Sequence, residues 1–196
     1  MADSLAPADV GPLLRGRFGS VYRYAESAPS TQRMLEPDDP EGAVAVAEEQ
    51  TAGRGRLGRS WEAPAGAGIL CSVKLVPAVP PPRLPELSLV AGRAVAAAIE
   101  EVTRLTPTVK FPNDILVDGR KVAGILAESS EGRVVLGIGV NVNQTATQLP
   151  SEARTHPTSL RIEVGAPIDR PALLAAILLQ LELEYDRWVS DTAASG

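Results

Sequence analysis

Two stretches of the chain set apolar residues at helical spacing. Leu87, Val90, Ala91, Ala94, Val95, Ala98, Ile99 and Val102 follow i, i+3, i+4 steps, which predicts a long helix between Leu84 and Leu105 with one buried face. After Pro171, Leu174, Ile177, Leu178, Leu181, Tyr185 and Trp188 form a second stripe, with the proline tolerated in the first helical turn. Shorter apolar or alternating runs predict strands in "SVYRYAES", "GAVAVAEE" (42–49), "GILCSVKLV" (68–76), "TVKFPND" and "RVVLGIGVNVN". In "ILVDGRKVAGILAE" two apolar runs flank Asp118-Gly119. That pair supplies the positive φ angles of a type I′ turn, which predicts a β-hairpin. A short first helix falls in "VGPLLRG", closed by Gly16 or earlier. Ser30 or Thr31 is placed to cap a helix whose first turn holds Gln32 and Arg33. "AVPPPRLPE" reads as a loop leading into a helix. Hairpins mixed with helices, in place of strict βαβ alternation, predict an α+β domain: a mixed sheet covered by helices.

Composition narrows the function. At 196 residues with 44% hydrophobic content the chain fits one domain with one sizeable core. A net charge of −5 argues against general nucleic-acid binding, which wants a basic footprint. The single cysteine, Cys71, rules out an internal disulfide and fits a reducing compartment. It sits in an apolar strand pattern and reads as a small core residue. The first residues have no apolar signal core, and no stretch approaches the ~18 apolar residues of a membrane span. The expectation is a cytoplasmic protein without a membrane partner.

Against that acidic background, "EEQTAGRGRLGRSWEAP" (48–64) packs Arg54, Arg56 and Arg59 among Gly53, Gly55 and Gly58. The glycines spell G-x-G-x-x-G, but a dinucleotide site needs a helix directly after them, and "RSWEAPAGAG" cannot supply one. The kinase motifs and the P-loop pattern are missing as well. Two readings stay open on local grounds. One is a solvated Arg/Gly loop. In the other, glycine lets backbone N–H groups approach a ligand closely while arginine neutralises its anionic atoms.

Four motifs taken together break the tie. "QTAGRGRLGRSW" (50–61), "KFPNDI" (110–115), "GRKVAGILAE" (119–128) and "GIGVNVN" (137–143) resemble the catalytic domain of biotin protein ligases, in the family's order and at roughly its spacing. With "STQ" (30–32) the resemblance covers roughly residues 20 to 190. It implies a class II synthetase-like α+β fold and a two-step reaction. Biotin and ATP, with Mg2+ as counter-ion, form biotinyl-5′-adenylate; a lysine of a biotin carboxyl carrier domain of an acyl-CoA carboxylase then attacks it, and AMP leaves.

Carried over residue by residue, the resemblance implies biotin contacts at Ser30, Thr31, Gln32, Gln50, Gly53, Arg54, Gly55, Arg56, Lys121 and Gly124. The ureido ring is neutral, so neutral polar partners suit it. On the nucleotide side it implies Arg56, Arg59, Trp61, Lys110, Asn113 and Asn141. Lys121, Arg56 and Lys110 are the cations expected to act on the reacting groups, because two anions must meet there. Gln32 stands where asparagine is usual, and Phe111 where tryptophan is usual. His156, in "THPTS", reads as a loop residue and not as a base.

The catalytic unit is expected to fill residues 1–196. The family's small C-terminal β-barrel domain and any N-terminal DNA-binding domain are expected to be absent, hence no DNA partner. Oligomeric state is not set by the sequence, and no metal ligand is assigned. A rival of a different class is a biotin- or adenylate-binding homologue whose catalysis is impaired by the missing domain. A lipoate ligase or octanoyltransferase shares the fold. A thiol-using transferase, however, needs a cysteine in a polar site, which Cys71 does not offer.

Overall fold

The apolar runs pair into one sheet of seven strands in a computed structural model that describes residues 3–150 and 155–194. In chain order these are β1 (Tyr22–Ala28), β2 (Val44–Gln50), β3 (Gly68–Leu75), β4 (Thr108–Lys110), β5 (Asp114–Val117), β6 (Arg120–Ser130) and β7 (Arg133–Asn141). Their order across the sheet is β1-β2-β3-β7-β6-β5-β4. Only β1 and β2 run parallel; the other neighbours are antiparallel. The expected α+β class with a mixed sheet therefore holds.

Two helices cover one face. The first stripe becomes α2 (Leu87–Thr103) and the second α4 (Arg170–Ala194), and they pack on each other against the sheet. In β3, Ile69, Cys71, Val73 and Leu75 point into that core, while Leu70 and Ser72 face the other side, as strand alternation requires. Burial pushes the Cys71 thiol up to about 12, so it stays protonated and inert, in line with its reading as a core residue.

Asp118 and Gly119 take φ values of 47° and 75°, and the expected hairpin joins β5 to β6. A second such turn at Glu131-Gly132, with φ 52° and 79°, joins β6 to β7, where the sequence reading had named no hairpin.

Three local expectations are corrected. The first helix, α1, lies earlier, at Pro7–Val10, and continues as a 3-10 turn over Gly11–Leu13. Ser30 and Thr31 cap no α-helix: only a 3-10 turn forms over Thr31–Arg33, and no side chain caps it. Thr31 spends its hydroxyl on long-range partners instead. A short helix, α3 (Leu160–Val164), capped by Ser159, was not foreseen.

Buried Arg170, only 2% exposed, ties the start of α4 to three other segments. It donates to Glu48 Oε2 on β2 (2.7 Å), to the Gly68 carbonyl (3.0 Å), and to the Asp3 carboxylate (3.1 Å) and carbonyl. Glu48 in turn accepts from the Leu5 backbone N–H at 2.8 Å. Arg170→Met leaves the Glu48 carboxylate, only 12% exposed, without its cation. Removing one partner of a buried pair costs about 3–5 kcal/mol. In a chain of this size that lowers the melting temperature by roughly 6–20 °C. Adding Glu48→Gln should recover part of the loss. A calorimetric difference under about 1 kcal/mol for Arg170→Met would refute this role.

Candidate functional site

The site lies on the sheet face opposite the helices, and glycine makes its floor. Gly124 of β6 and Gly139 of β7 are cross-strand partners; Leu126 and Gly137 form the next pair on the same face. The Trp61 indole lies on the first pair. A Cβ at Gly139 would come 2.4 Å from Trp61 Cε2, and one at Gly124 would come 2.8 Å from Cζ3. Non-bonded carbon atoms do not approach that closely, so the ring can rest there only over glycine.

Trp61 is set down by the Gly/Arg loop, which closes as a small hairpin. Arg54 and Ser60 form a bridge, Trp61 N–H donates to the Gly53 carbonyl (3.0 Å), and Gly55 N–H donates to the Arg59 carbonyl (2.7 Å). Gly53 has no room for a side chain, since a Cβ would sit 2.1 Å from the Trp61 carbonyl oxygen. At the tip Leu57 (φ 59°) and Gly58 (φ 73°) turn the chain back, and Leu57 is 86% exposed. The three arginines diverge. Arg54 pairs with Glu128 of β6; Arg56 donates to Asn113 Oδ1 at 3.2 Å; Arg59 Nε donates to the Arg56 carbonyl at 3.1 Å.

Opposite the loop, Ser30 and Thr31 are buried at the start of the turn that runs to Arg33. Thr31 N–H (2.8 Å) and Oγ1 (3.1 Å) both donate to Gln50 Oε1, and Thr31 Oγ1 lies 2.8 Å from Ser72 Oγ on β3. Turn, loop and floor enclose a narrow cavity of about 90 Å³ lined by Ser30, Thr31, Gln32, Gln50, Arg54 and Arg56, among others. Beyond Trp61 opens a broader cavity of about 690 Å³, reaching Asp114, Asn141, Pro150 and Pro157. Arg59, Ser60, Trp61 and Lys121 line both cavities and form the wall between them.

Lys121 reaches that wall through a β-bulge. Ile115 pairs with Ala123 but Leu116 pairs with Lys121, so Val122 is an extra residue in β6. Val122 and Ala123 both enter the helix-side core, and Lys121 and Gly124 both face the site. Lys121 Nζ lies 2.6 Å from Asp114 Oδ1 and 5.3 Å from the Trp61 ring centroid. Its backbone pairs with the segment around Pro157: Lys121 N–H donates to the His156 carbonyl, and Thr158 N–H donates to the Lys121 carbonyl, each at 2.8 Å.

Most sequence-predicted residues therefore converge. Ser30, Thr31, Gln32, Gln50, Arg54, Gly55, Arg56, Lys121 and Gly124 line the narrow cavity, together with Arg59, Trp61 and Asn113. Gly53 sits behind it as the close-approach point of the loop. Asn141 lines the broad cavity, but its amide is engaged internally, donating to the Thr158 carbonyl (3.0 Å) and accepting from Gln144 (3.3 Å). Lys110 is exposed on the edge strand β4, outside both linings. Phe111, beside it, is 80% exposed.

Sequence reasoning missed Asp114, Ser72, Glu128 and the floor glycines Gly137 and Gly139. Glycine at alternate positions of a strand was the available signal, since it marks a close approach to that face. Among the described residues no group of three His, Cys, Asp or Glu side chains gathers to hold a metal ion.

The sheet with helices on one face and a Gly/Arg loop cradling a divided cavity on the other can be set beside known proteins. Residues 24–144 match the model of the biotin/lipoate A/B protein ligase family. The bifunctional ligase/repressor BirA of Bacillus subtilis is 40% identical over 177 residues, covering 86% of this chain and 54% of that protein. The biotin–[acetyl-CoA-carboxylase] ligase of Mycobacterium tuberculosis is 44% identical over 155 residues, covering 76% of this chain and 56% of that one. The solved biotin protein ligase of Aquifex aeolicus in complex with biotin and ATP superposes with a TM-score of 0.78 at 33% identity, covering 88% of this chain and 73% of that chain.

The chain belongs to the biotin/lipoate A/B protein ligase family. It spans about half the length of the curated relatives it matches. No helix among its described residues is long and apolar enough to cross a membrane.

Proposed function

We propose that this chain joins biotin to a lysine of a biotin carboxyl carrier domain, using ATP and passing through biotinyl-5′-adenylate. One observation carries the reading: two cavities share a wall made of Lys121, Arg59, Ser60 and Trp61. Biotin occupies the narrow cavity, with its ureido ring toward Thr31 and Gln50, and ATP occupies the broad one. Their reacting ends meet at the wall.

In the first step a carboxylate oxygen of biotin attacks the α-phosphorus of ATP, and pyrophosphate leaves. In the second the carrier amine attacks the acyl carbon, the bond to the phosphate oxygen breaks, and AMP leaves. Two like charges at ~4 Å repel by about 1 kcal/mol in water and about 4 kcal/mol at an effective dielectric near 20. A fixed ammonium between them reverses that sign, which is the task assigned to Lys121, with Arg56 beside it. Lys110 on its edge strand is left to the outer phosphates. Mg2+ arrives with the nucleotide as its counter-ion. The reaction is placed in the cytoplasm, where carboxylases and ATP are found together.

The reading is tested by incubating the chain with biotin, MgATP and a carrier domain and weighing the carrier. The expected result is one added biotinyl group, with pyrophosphate released. Lipoate and octanoate in place of biotin should leave the carrier unchanged. Absence of both biotinyl transfer and pyrophosphate release would reject the proposal.

A further inference from the structure

Lys121 stands where β6 has little support of its own. β7 pairs with β6 only from Ala123 onward, so on that side the Lys121 backbone has no strand partner. On the other side the ladder with β5 is interrupted by the bulge at Val122. A bulge disrupts the ladder and bends its strand, so the residue it re-aims depends on support from outside the strand.

Residues 156–158 give that support, through the two backbone bonds they share with Lys121. This segment lies in no helix and in no strand of the sheet, so side chains must fix its place. Asn141 donates to the Thr158 carbonyl at 3.0 Å, and Thr158 Oγ1–H donates to Glu163 Oε1. The other oxygen of the same carboxylate, Glu163 Oε2, accepts from Arg120 at 2.6 Å. Arg120 is the residue before Lys121 in the hairpin, and Thr158 is bonded to Lys121 from across. One carboxylate thus ties together the two segments that meet at Lys121.

Glu163 lies on α3, its side chain is only 5% exposed, and it lines neither cavity of the site. A carboxylate this buried pays for its desolvation only through charge-assisted hydrogen bonds, and both of its oxygens make one.

We propose that Glu163 is a positioning residue for adenylate formation: by holding Arg120 and Thr158 it fixes the bulge and keeps the Lys121 ammonium on the wall between the two cavities. The inference rests on the role given to Lys121 above and adds what holds that residue in place. Placement matters there because the ammonium must stand between two incoming anions, and a misplacement of ~1 Å at a reacting centre costs on the order of 100-fold in rate.

A double-mutant cycle with Lys121→Ala can separate this role from one in the fold. The readouts are pyrophosphate release at saturating biotin and MgATP, and calorimetric melting of the same proteins. Glu163→Gln keeps the shape of the side chain but accepts at one end only, so one of the two bonds is lost. In the wild-type background it is expected to slow pyrophosphate release about 10- to 100-fold. In the Lys121→Ala background it should change the rate by less than about twofold, because no ammonium is left to place. The melting temperature should fall by the same amount in both backgrounds. Thr158→Val removes the hydroxyl donor from the other side and should show the same pattern. A residue serving only the fold would slow both backgrounds alike. Equal slowing in the two backgrounds, or a wild-type background slowed less than about twofold, overturns the assignment. Should Glu163→Gln fail to fold, the cycle with Thr158→Val decides by the same criteria. Lys121→Ala as fast as wild type also overturns it, since nothing is then positioned. Wild type that releases no pyrophosphate overturns the ligase reading instead, before any variant is compared.

Discussion

Lys121→Ala is expected to release pyrophosphate from biotin and MgATP about a thousand-fold more slowly than wild type while melting within about 3 °C of it. The rate effect follows from what is left behind. Lys121 Nζ stands 2.6 Å from Asp114 Oδ1, on the wall between the two cavities. Removing the ammonium subtracts a cation and also exposes the Asp114 carboxylate to two incoming anions. A unit charge at ~4 Å with an effective dielectric near 20 is worth about 4 kcal/mol, and 1.36 kcal/mol is tenfold in rate, so about a thousand-fold is lost. Stability should barely respond, because both side chains are about one-fifth exposed and such a pair contributes about 0–1 kcal/mol. Lys121→Ala with Asp114→Asn should regain part of the rate, since the repelling charge is then gone. A single variant within tenfold of wild type in pyrophosphate release would remove Lys121 from the reaction.

Gly139→Val is expected to weaken biotin binding about a thousand-fold without destabilising the protein. The new Cβ meets Trp61 Cε2 at 2.4 Å, so the indole must leave the floor. Trp61 is hydrogen-bonded to Gly53 across the Gly/Arg hairpin, and its displacement carries the loop with it. The side wall and one end of the narrow cavity are then lost together. The strand itself gains, because valine suits a β-strand better than glycine. Opposite signs in binding and melting separate this from general unfolding. The chain has two tryptophans, and Trp188 lies on α4 in the helical layer. A Trp188→Phe background therefore lets fluorescence follow Trp61 alone. Titration with biotin giving an affinity within threefold of wild type would show that the floor need not be bare.

How much of this was legible beforehand divides by the range of the forces involved. The stripes of α2 and α4, the positive-φ turn at Asp118-Gly119 and the Gly/Arg loop depend on residues a few positions apart, and the sequence by itself determined them. The same local spelling sufficed for the family. Helix caps were less legible: Ser30 and Thr31 look like a helix start, but Thr31 is claimed by Gln50 and by Ser72, 41 residues away.

Tertiary structure alone decided which residues share a face. By strict alternation Lys121 and Gly124 fall on opposite sides of β6, and the extra residue at Val122 brings them together. Insertion of β7 between β3 and β6 is what sets Gly139 beside Gly124, and Ser72 on the site side of the same sheet. Asp3, Glu48 and Arg170 are spread over most of the chain and meet around one guanidinium. Pairing register, bulges and buried polar contacts are chosen by the joint packing of distant segments. A period of two or of 3.6 residues records only which side of its own element a residue faces, and nothing of what lies across from it.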